Sequence, residues 1–218
     1  MKHDQLKKQV SLAVLDYIPY NAIVGFGSGS TVIHFIKAIV EKKKNFFGAV
    51  SSSYHTTIML KKYGITVLEL NTITKPIIYI DSADEVNFSL EMIKGGGGAL
   101  TKEKIISAMS EKFICIIDES KLVQTLGVFP LPIEVVPIAY SYISKKMTDF
   151  GGKPRYREGF VTDQGNIIID VYGLNLNCPI NVEKTFNSIP GIVTVGLFSI
   201  QKPNLLLVGT KSGIKIFK

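Results

Sequence analysis

Short, largely apolar runs recur through the first 120 residues, at 22–26, 47–50, 66–70, 77–80 and 113–117, with helical patterns between several of them. A run of four or five apolar residues without alternation reads as a strand buried on both faces. Such strands belong to parallel sheets covered by helices. The first helical pattern, at 4–18, sets Leu6, Val10, Ala13, Val14 and Tyr17 on one face. Others follow the turn at 27–31 through residue 40, and lie at about 54–62 and 100–111. Ligands of such sheets bind beyond the carboxyl ends of the strands, so the loops there are the first places to look for chemistry.

The texture changes near Gly127, where Pro130, Pro132 and Pro137 punctuate a strand-like segment at 133–136. A helix is expected at about 138–149, a hairpin around Asp163-Gln164-Gly165, a short helix from Pro179 and a strand at 192–198. That β-α-β-β-α-β order is the ferredoxin-like arrangement. The expected fold class is therefore α/β: a Rossmann-like parallel-sheet domain (1–127 plus 205–218) with a smaller ferredoxin-like α+β domain (128–204). The last two strands, 205–208 and 214–217, are expected to rejoin the first sheet or the interface between the two domains.

A 46% hydrophobic content over 218 residues supports a sizeable core and excludes disorder as a class. The net charge of +7 admits a polyanionic partner. The lysines are spread along the chain, however, and the densest run, Lys42 to Lys44, falls at a helix end where cations suit the dipole. No nucleic-acid partner is expected. Cys115 reads as a strand residue and Cys178 as a loop residue, with no disulfide framework, which points to a reducing, cytoplasmic compartment. No secretory signal and no run of ~18 apolar residues is present, so no membrane span is expected. His3, His34 and His55 lack ligand spacing, and no metal site is expected.

Four loops fall at strand ends. Gly25-Phe26-Gly27-Ser28-Gly29-Ser30-Thr31 lets the backbone approach an anion at a helix N-terminus; it reads equally as a glycine turn with Ser30 as cap. It matches neither the Walker A nor the dinucleotide pattern. Asp81-Ser82-Ala83-Asp84-Glu85 crowds three acids at a strand end, which self-repulsion disfavours unless cations or function compensate; capping is the plainer alternative. Lys94-Gly95-Gly96-Gly97-Gly98-Ala99 carries a large ordering entropy. In return several N–H groups can converge on one oxygen anion, with Lys94 adding a charge; a flexible linker is the alternative, less attractive because a helix starts immediately after it and its flanks are apolar. Glu103, in the first turn of the following helix, is either a dipole-matched cap or a general base. The helix end and Lys94 act to lower its pKa, and burial acts to raise it. The fourth loop, Asp118-Glu119-Ser120-Lys121, follows the strand at 113–117, with Lys121 either a surface lysine or a phosphate contact.

In combination these segments resemble ribose-5-phosphate isomerase of type A. Residues 22–33 resemble its V-G-x-G-T-G-S-T segment, residues 81–85 its D-G-A-D-E motif, and residues 93–105 its K-G-G-G-G-A-L-x-x-E-K-I motif. The strand ending in Asp118-Glu-Ser-Lys121, Leu131-Pro-Ile-Glu-Val-Val-Pro137, Gly151-Gly-Lys-Pro154, residues 160–166 and residues 191–198 also fit, in order, over essentially the whole chain. The resemblance implies interconversion of ribose 5-phosphate and ribulose 5-phosphate without a cofactor or metal. It implies Glu103 as the base between C1 and C2, with Asp81, Asp84 and Lys94 serving ring opening and the oxygens. Lys7, Ser28, Gly29, Ser30, Thr31, Ser82, Ala83, Gly95, Gly96, Gly97 and Lys121 match substrate-binding positions, and a homodimer is expected. Two departures are Ser28 for the usual Thr and Ser82 for the usual Gly. The second costs about 1 kcal/mol if that position needs a positive φ. A non-catalytic sugar-phosphate sensor would use the same loops, but no helix-turn-helix pattern precedes residue 20 and every acid–base group is present.

Overall fold

The computed structural model describes residues 3–74 and 77–218. In chain order its elements begin with α1 (His3–Ala13), β1 (Ile23–Phe26), α2 (Ser30–Glu41), β2 (Gly48–Ser51), α3 (Tyr54–Lys62) and β3 (Ile77–Asp81). Next come β4 (Glu85–Val86), β5 (Met92–Ile93), α4 (Leu100–Met109), β6 (Ser110–Asp118), β7 (Leu131–Val135) and α5 (Tyr140–Asp149). The chain closes with β8 (Lys153–Tyr156), β9 (Ile167–Tyr172), α6 (Pro179–Asn187), β10 (Ile192–Val195), β11 (Leu197–Phe198), β12 (Leu205–Thr210) and β13 (Gly213–Phe217). Two compact units result, one from the described residues of 1–82, 105–122 and 203–218, the other from 83–104 and 123–202.

The first unit is built on a six-stranded sheet of order β13-β12-β6-β3-β1-β2. Five strands run parallel and β13 closes the edge antiparallel to β12. Strands β1 and β3 are buried throughout, as a sheet covered on both faces requires. Leu6 and Val10 of α1 and Val32, Phe35, Ile36 and Ile39 of α2 recur at helical spacing, and all are buried. Phe35 stacks on Phe26 of β1 at 5.0 Å between ring centroids. The order reverses between β1 and β3: the chain leaves β1 for β2 on one side, then returns to β3 on the other. That switch point opens a crevice at the two carboxyl ends, where the Gly27 loop and Asp81 stand.

The second unit holds the sheet β10-β7-β9-β8, with neighbours antiparallel. Taken as the four strands of a β-α-β-β-α-β unit, this is order 4-1-3-2, the ferredoxin-like arrangement. Ile143 and Met147 of α5 and Phe186 of α6 pack into its core. A short three-stranded sheet, β11-β5-β4, belongs to the same unit and has no counterpart in the sequence reading.

Several boundaries differ from expectation. Residues 66–70 form no strand. One bridge, Ala49 to Val67, is all that pairs, because β2 is short and the chain turns at once into a 3₁₀ turn at Leu70–Thr72. The segment 192–198 splits into β10 and β11 of different sheets. Its break is Gly196, where a Cβ would lie 2.2 Å from the Lys94 carbonyl oxygen. The first helix ends at Ala13 and continues as a 3₁₀ turn, Val14–Tyr17. Residues 110 and 111 belong to β6 rather than to the preceding helix. The final two strands join the first sheet.

Candidate active site

In the first unit the β1–α2 loop wraps around the carboxylate of Asp81, which is fully buried. The backbone N–H groups of Ser28 and Ser82 donate to its Oδ1 at 3.0 and 2.7 Å, and the Tyr79 hydroxyl donates to Oδ2. Tyr79 and Asp81 are two apart on one strand and so share a face. Gly27 is glycine because of this packing: a Cβ would sit 1.8 Å from the Asp81 carboxyl carbon. Gly29 takes φ +89° at the N-cap of α2, which leaves the N–H groups of the first turn, from Ser30 and Thr31 onward, facing out of the helix end. Lys7 on α1 donates to Ser30 Oγ at 2.9 Å, bringing a cation to that end. The Ser82 hydroxyl donates to the Ser28 carbonyl at 3.2 Å, tying the two loops. Position 82 lies outside the positive-φ region, so serine in place of glycine carries no backbone strain there.

Lys121 ends the 3₁₀ turn Glu119–Lys121 beyond β6. Asp118 begins that turn. Burial pushes its pKa up, but hydrogen bonds from the Ser120 hydroxyl (2.5 Å), His3 Nδ1 (3.2 Å) and the Ser120 N–H (3.0 Å) outweigh it, and the net shift is downward.

In the second unit the tetraglycine segment is an ordered turn. Gly95 (φ +103°) and Gly98 (φ +74°) occupy left-handed backbone, and the Gly98 N–H closes onto the Gly95 carbonyl at 2.9 Å. The Gly96 N–H donates to Asp84 Oδ2 at 2.8 Å; a Cβ at 96 would lie 2.7 Å from the other oxygen of that carboxylate. Ala83, Gly95 and Gly98 are buried, whereas Gly96 and Gly97 are exposed. The Lys94 N–H is pinned to the Gly196 carbonyl at 2.8 Å. Its ammonium meets Glu103 Oε2 at 3.2 Å, with both residues 2% exposed. Glu103 sits one turn into α4, its N–H bonded to the Ala99 carbonyl. The result is a buried carboxylate and ammonium beside a turn in which Gly96 and Gly97 are exposed. This pairing can take a proton from carbon and hold the oxyanion that forms.

Each loop singled out in the sequence thus carries ordered polar contacts, with the segment 81–85 divided between the two units after Ser82. Sequence reasoning missed the residues beneath the glycine turn. Arg157 donates from Nη1 to the carbonyls of Gly95 and Gly96 at 3.2 and 3.1 Å, and the Phe160 ring lies against Gly98. Buried Glu134 accepts from Thr101 (2.5 Å), Thr162 (2.8 Å) and Asn166 (2.9 Å). Next to Glu103, Lys104 donates to Glu183 and to the Leu197 carbonyl, and its ammonium lies 4.4 Å from the Phe198 ring centroid. Among the described residues no cluster of three or more His, Cys, Asp or Glu is arranged to hold a metal ion.

The family model of ribose 5-phosphate isomerase A (phosphoriboisomerase A) matches residues 48–213. The ribose-5-phosphate isomerase A of Buchnera aphidicola subsp. Schizaphis graminum is 56% identical over 218 residues, all of both chains. That of Buchnera aphidicola subsp. Baizongia pistaciae is 50% identical over 216 residues, 99% of each. Among solved structures, ribose 5 phosphate isomerase A from Neisseria gonorrhoeae aligns with a TM-score of 0.97 at 44% identity, over 99% of this chain and 97% of that one. A D-ribose-5-phosphate isomerase in complex with phospho-erythronic acid aligns with a TM-score of 0.96 at 34% identity over all of both chains. Full-length identity of this order, on a chain whose glycine turn, lysine and glutamate are already ordered as one cluster, leaves one conclusion: the chain belongs to the ribose 5-phosphate isomerase A family.

Proposed function

We propose that the chain interconverts D-ribose 5-phosphate and D-ribulose 5-phosphate through a cis-enediolate. The observation that carries this reading is the buried Lys94–Glu103 pair beside the glycine turn, in a chain of this family. The Glu103 carboxylate removes the proton on C2 of the open-chain aldose. The C–H electron pair becomes the C1–C2 double bond, and the carbonyl pair moves to O1. A proton then passes between O2 and O1, Glu103 returns its proton to C1, and the carbonyl re-forms at C2. Hydrogen moves only as a proton, so the chemistry calls for no redox cofactor. A placed base contributes typically ~10²–10⁴-fold, and one fixed oxyanion donor about 3–4 kcal/mol.

Lys94 and the glycine turn at Gly95, Gly96 and Gly97 are assigned to the developing oxyanion. Asp84 and Asp81 are assigned to ring opening and the oxygen-bound protons. Ser28, Gly29, Ser30 and Thr31, with Lys7 and Lys121, are assigned to the phosphate and the substrate hydroxyls. The helix N-terminus at Ser30 and the Lys7 ammonium on its hydroxyl support that assignment. Ser82 and Ala83 line the same stretch of chain. The reaction belongs to the non-oxidative branch of the pentose phosphate pathway, in the cytoplasm. The two cysteines, buried Cys115 and exposed Cys178, are not bridged to each other, which supports a reducing compartment, and no described helix is long and apolar enough to cross a membrane. A homodimer through the smaller unit is supported by Ile138, 95% exposed beside the half-exposed Tyr140 and Tyr142.

The test is a direct assay of ketose formation from ribose 5-phosphate without added metal or nucleotide. Glu103→Gln is expected to abolish turnover while still binding phospho-erythronic acid. Turnover at the wild-type rate in that variant removes Glu103 as the base. Binding without turnover in the wild-type chain removes the isomerase reading.

A further inference from the structure

The tetraglycine turn has a support that the sequence places about 60 residues away. Arg157 divides its guanidinium between that turn and Asp170. Nε and Nη2 grip the two oxygens of Asp170 at 2.8 and 2.5 Å, and Nη1 donates to the carbonyls of Gly95 and Gly96. In a trans peptide the carbonyl and the following N–H point in opposite directions. Fixing the Gly95 carbonyl therefore fixes the Gly96 N–H, the one that meets Asp84. Fixing the Gly96 carbonyl aims the exposed Gly97 N–H away from Arg157. The rest of the β8–β9 loop closes on the same elements. The Phe160 ring fills the space over Gly98, and Asp163 pairs with Lys102 at 2.9 Å on the first turn of α4. Glu134 links Thr162 of the loop to Thr101 of that turn. Only two of the chain's 25 basic residues are arginines, Arg155 and Arg157, so lysine serves nearly everywhere else. At 157 it cannot serve, because an ammonium has no planar fork to hold a carboxylate and two carbonyls together.

We propose that Arg157, held by Asp170, is a positioning residue for the isomerisation: it fixes the tetraglycine turn so that its N–H groups are aimed before the oxyanion forms. The role rests on the isomerase reading above. Four glycines in succession would otherwise sample many conformations, and a misplacement of about 1 Å at a reacting group can lower a rate ~10²-fold.

The test uses the full chain with Arg157→Lys and Asp170→Asn, and Ile143→Val as a control for core destabilisation remote from the turn. Two readouts are taken, amide hydrogen exchange over residues 94–100 and steady-state kinetics on ribose 5-phosphate. Arg157→Lys is expected to speed exchange in the glycine turn and lower kcat by roughly 10–100-fold, with KM changed less than about threefold. Affinity for phospho-erythronic acid, whose carboxylate mimics the two enediolate oxygens, should fall in parallel with kcat/KM. Asp170→Asn should shift each readout the same way by less, and Ile143→Val none of them. Unchanged exchange in Arg157→Lys overturns the positioning role whatever the activity. Faster exchange with kcat within twofold overturns its part in catalysis. A wild-type chain that fails to turn over ribose 5-phosphate refutes the isomerase reading instead, and exchange still decides whether Arg157 orders the turn.

Discussion

Replacing Gly98 by alanine loads the glycine turn in two ways at once. The backbone there has φ +74°, where an L side chain crowds its own carbonyl, at about 1–2 kcal/mol. A Cβ would also stand 2.2 Å from Phe160 Cζ and 2.4 Å from Cε1, against the ~3.5–4.0 Å of an ordinary carbon–carbon contact. The ring must retreat by well over an ångström from a place it shares with the Arg157 guanidinium, 5.4 Å from its centroid. Overpacking of that kind costs about 1–3 kcal/mol. The two effects together make roughly 2–5 kcal/mol, or a fall in Tm of about 4–20 °C at ~2–4 °C per kcal/mol for a chain of this length. Urea unfolding followed by circular dichroism, repeated in a Phe160→Ala background, separates them. Without the ring, Gly98→Ala should cost only the backbone part, leaving a coupling of about 1–3 kcal/mol between the two sites. Equal costs in both backgrounds would refute the steric argument. A cost below ~0.5 kcal/mol in the Phe160→Ala background would refute the backbone argument.

Gly27→Ala meets the Asp81 carboxyl instead and should destabilise by about 3 kcal/mol or more. Asp81→Ala added to it should recover part of that loss in the same unfolding assay; no recovery means that Gly27 does not serve to admit Asp81. Glu183→Gln leaves the buried Lys104 ammonium without its countercharge and should cost about 3–5 kcal/mol in urea unfolding. Lys104→Met should cost less, because Glu183 keeps the N–H groups of Ser199 and Ile200 at 2.7 and 3.0 Å. Burial holds the pKa of Lys104 below its ordinary 10.5, against the pull of Glu183. The unfolded chain therefore binds the extra proton between those two values, and stability should rise with pH through that window. Lys104→Met should abolish the rise. Asp118 carries the same sign at the acid end: its lowered pKa contributes stability that is fully present above the ordinary 3.8 and lost as pH falls through the depressed value. Asp118→Asn should flatten the acid limb of the Tm–pH curve, and an unchanged limb would show that His3 and Ser120 do not hold the ionised form.

What could be read from the chain was what lies close together along it. The Lys94–Glu103 segment, the acids at 81–85 and the Gly27 loop each fit within a dozen residues, and the turn or helix that orders them is specified there too. The parallel sheet was legible because both-face burial removes alternation from its strands. The ferredoxin-like order followed from turn residues. Strand 66–70 misled because apolar content alone does not supply a neighbour to pair with, and at the sheet edge only Val67 finds one. The split at Gly196 was hidden because its cause, the Lys94 carbonyl, is about a hundred residues away.

The supports of the site were hidden for the same reason, yet two had a local trace. Tyr79 and Asp81 stand two apart in a strand, so a buried carboxylate at the strand end had its phenol donor written beside it. Asp170 is the other. An acid in the apolar run Ile167–Tyr172 implies a cation, since a carboxylate in such a setting is seldom left unpaired. In a chain that otherwise relies on lysine, the two arginines across the hairpin, Arg155 and Arg157, were the candidates. Register tells them apart. Arg155 lies directly opposite Asp170 in the ladder and stacks over Tyr172 at 5.0 Å, whereas Arg157, just past the strand end, curls back to take the carboxylate. Once that grip is made, Nη1 is the fork's remaining arm, and the glycine turn is where it reaches. The carboxylate that orders the turn is thus an acid in a strand of the smaller unit, and this gives Asp170→Asn its expected effect on a reaction it does not touch.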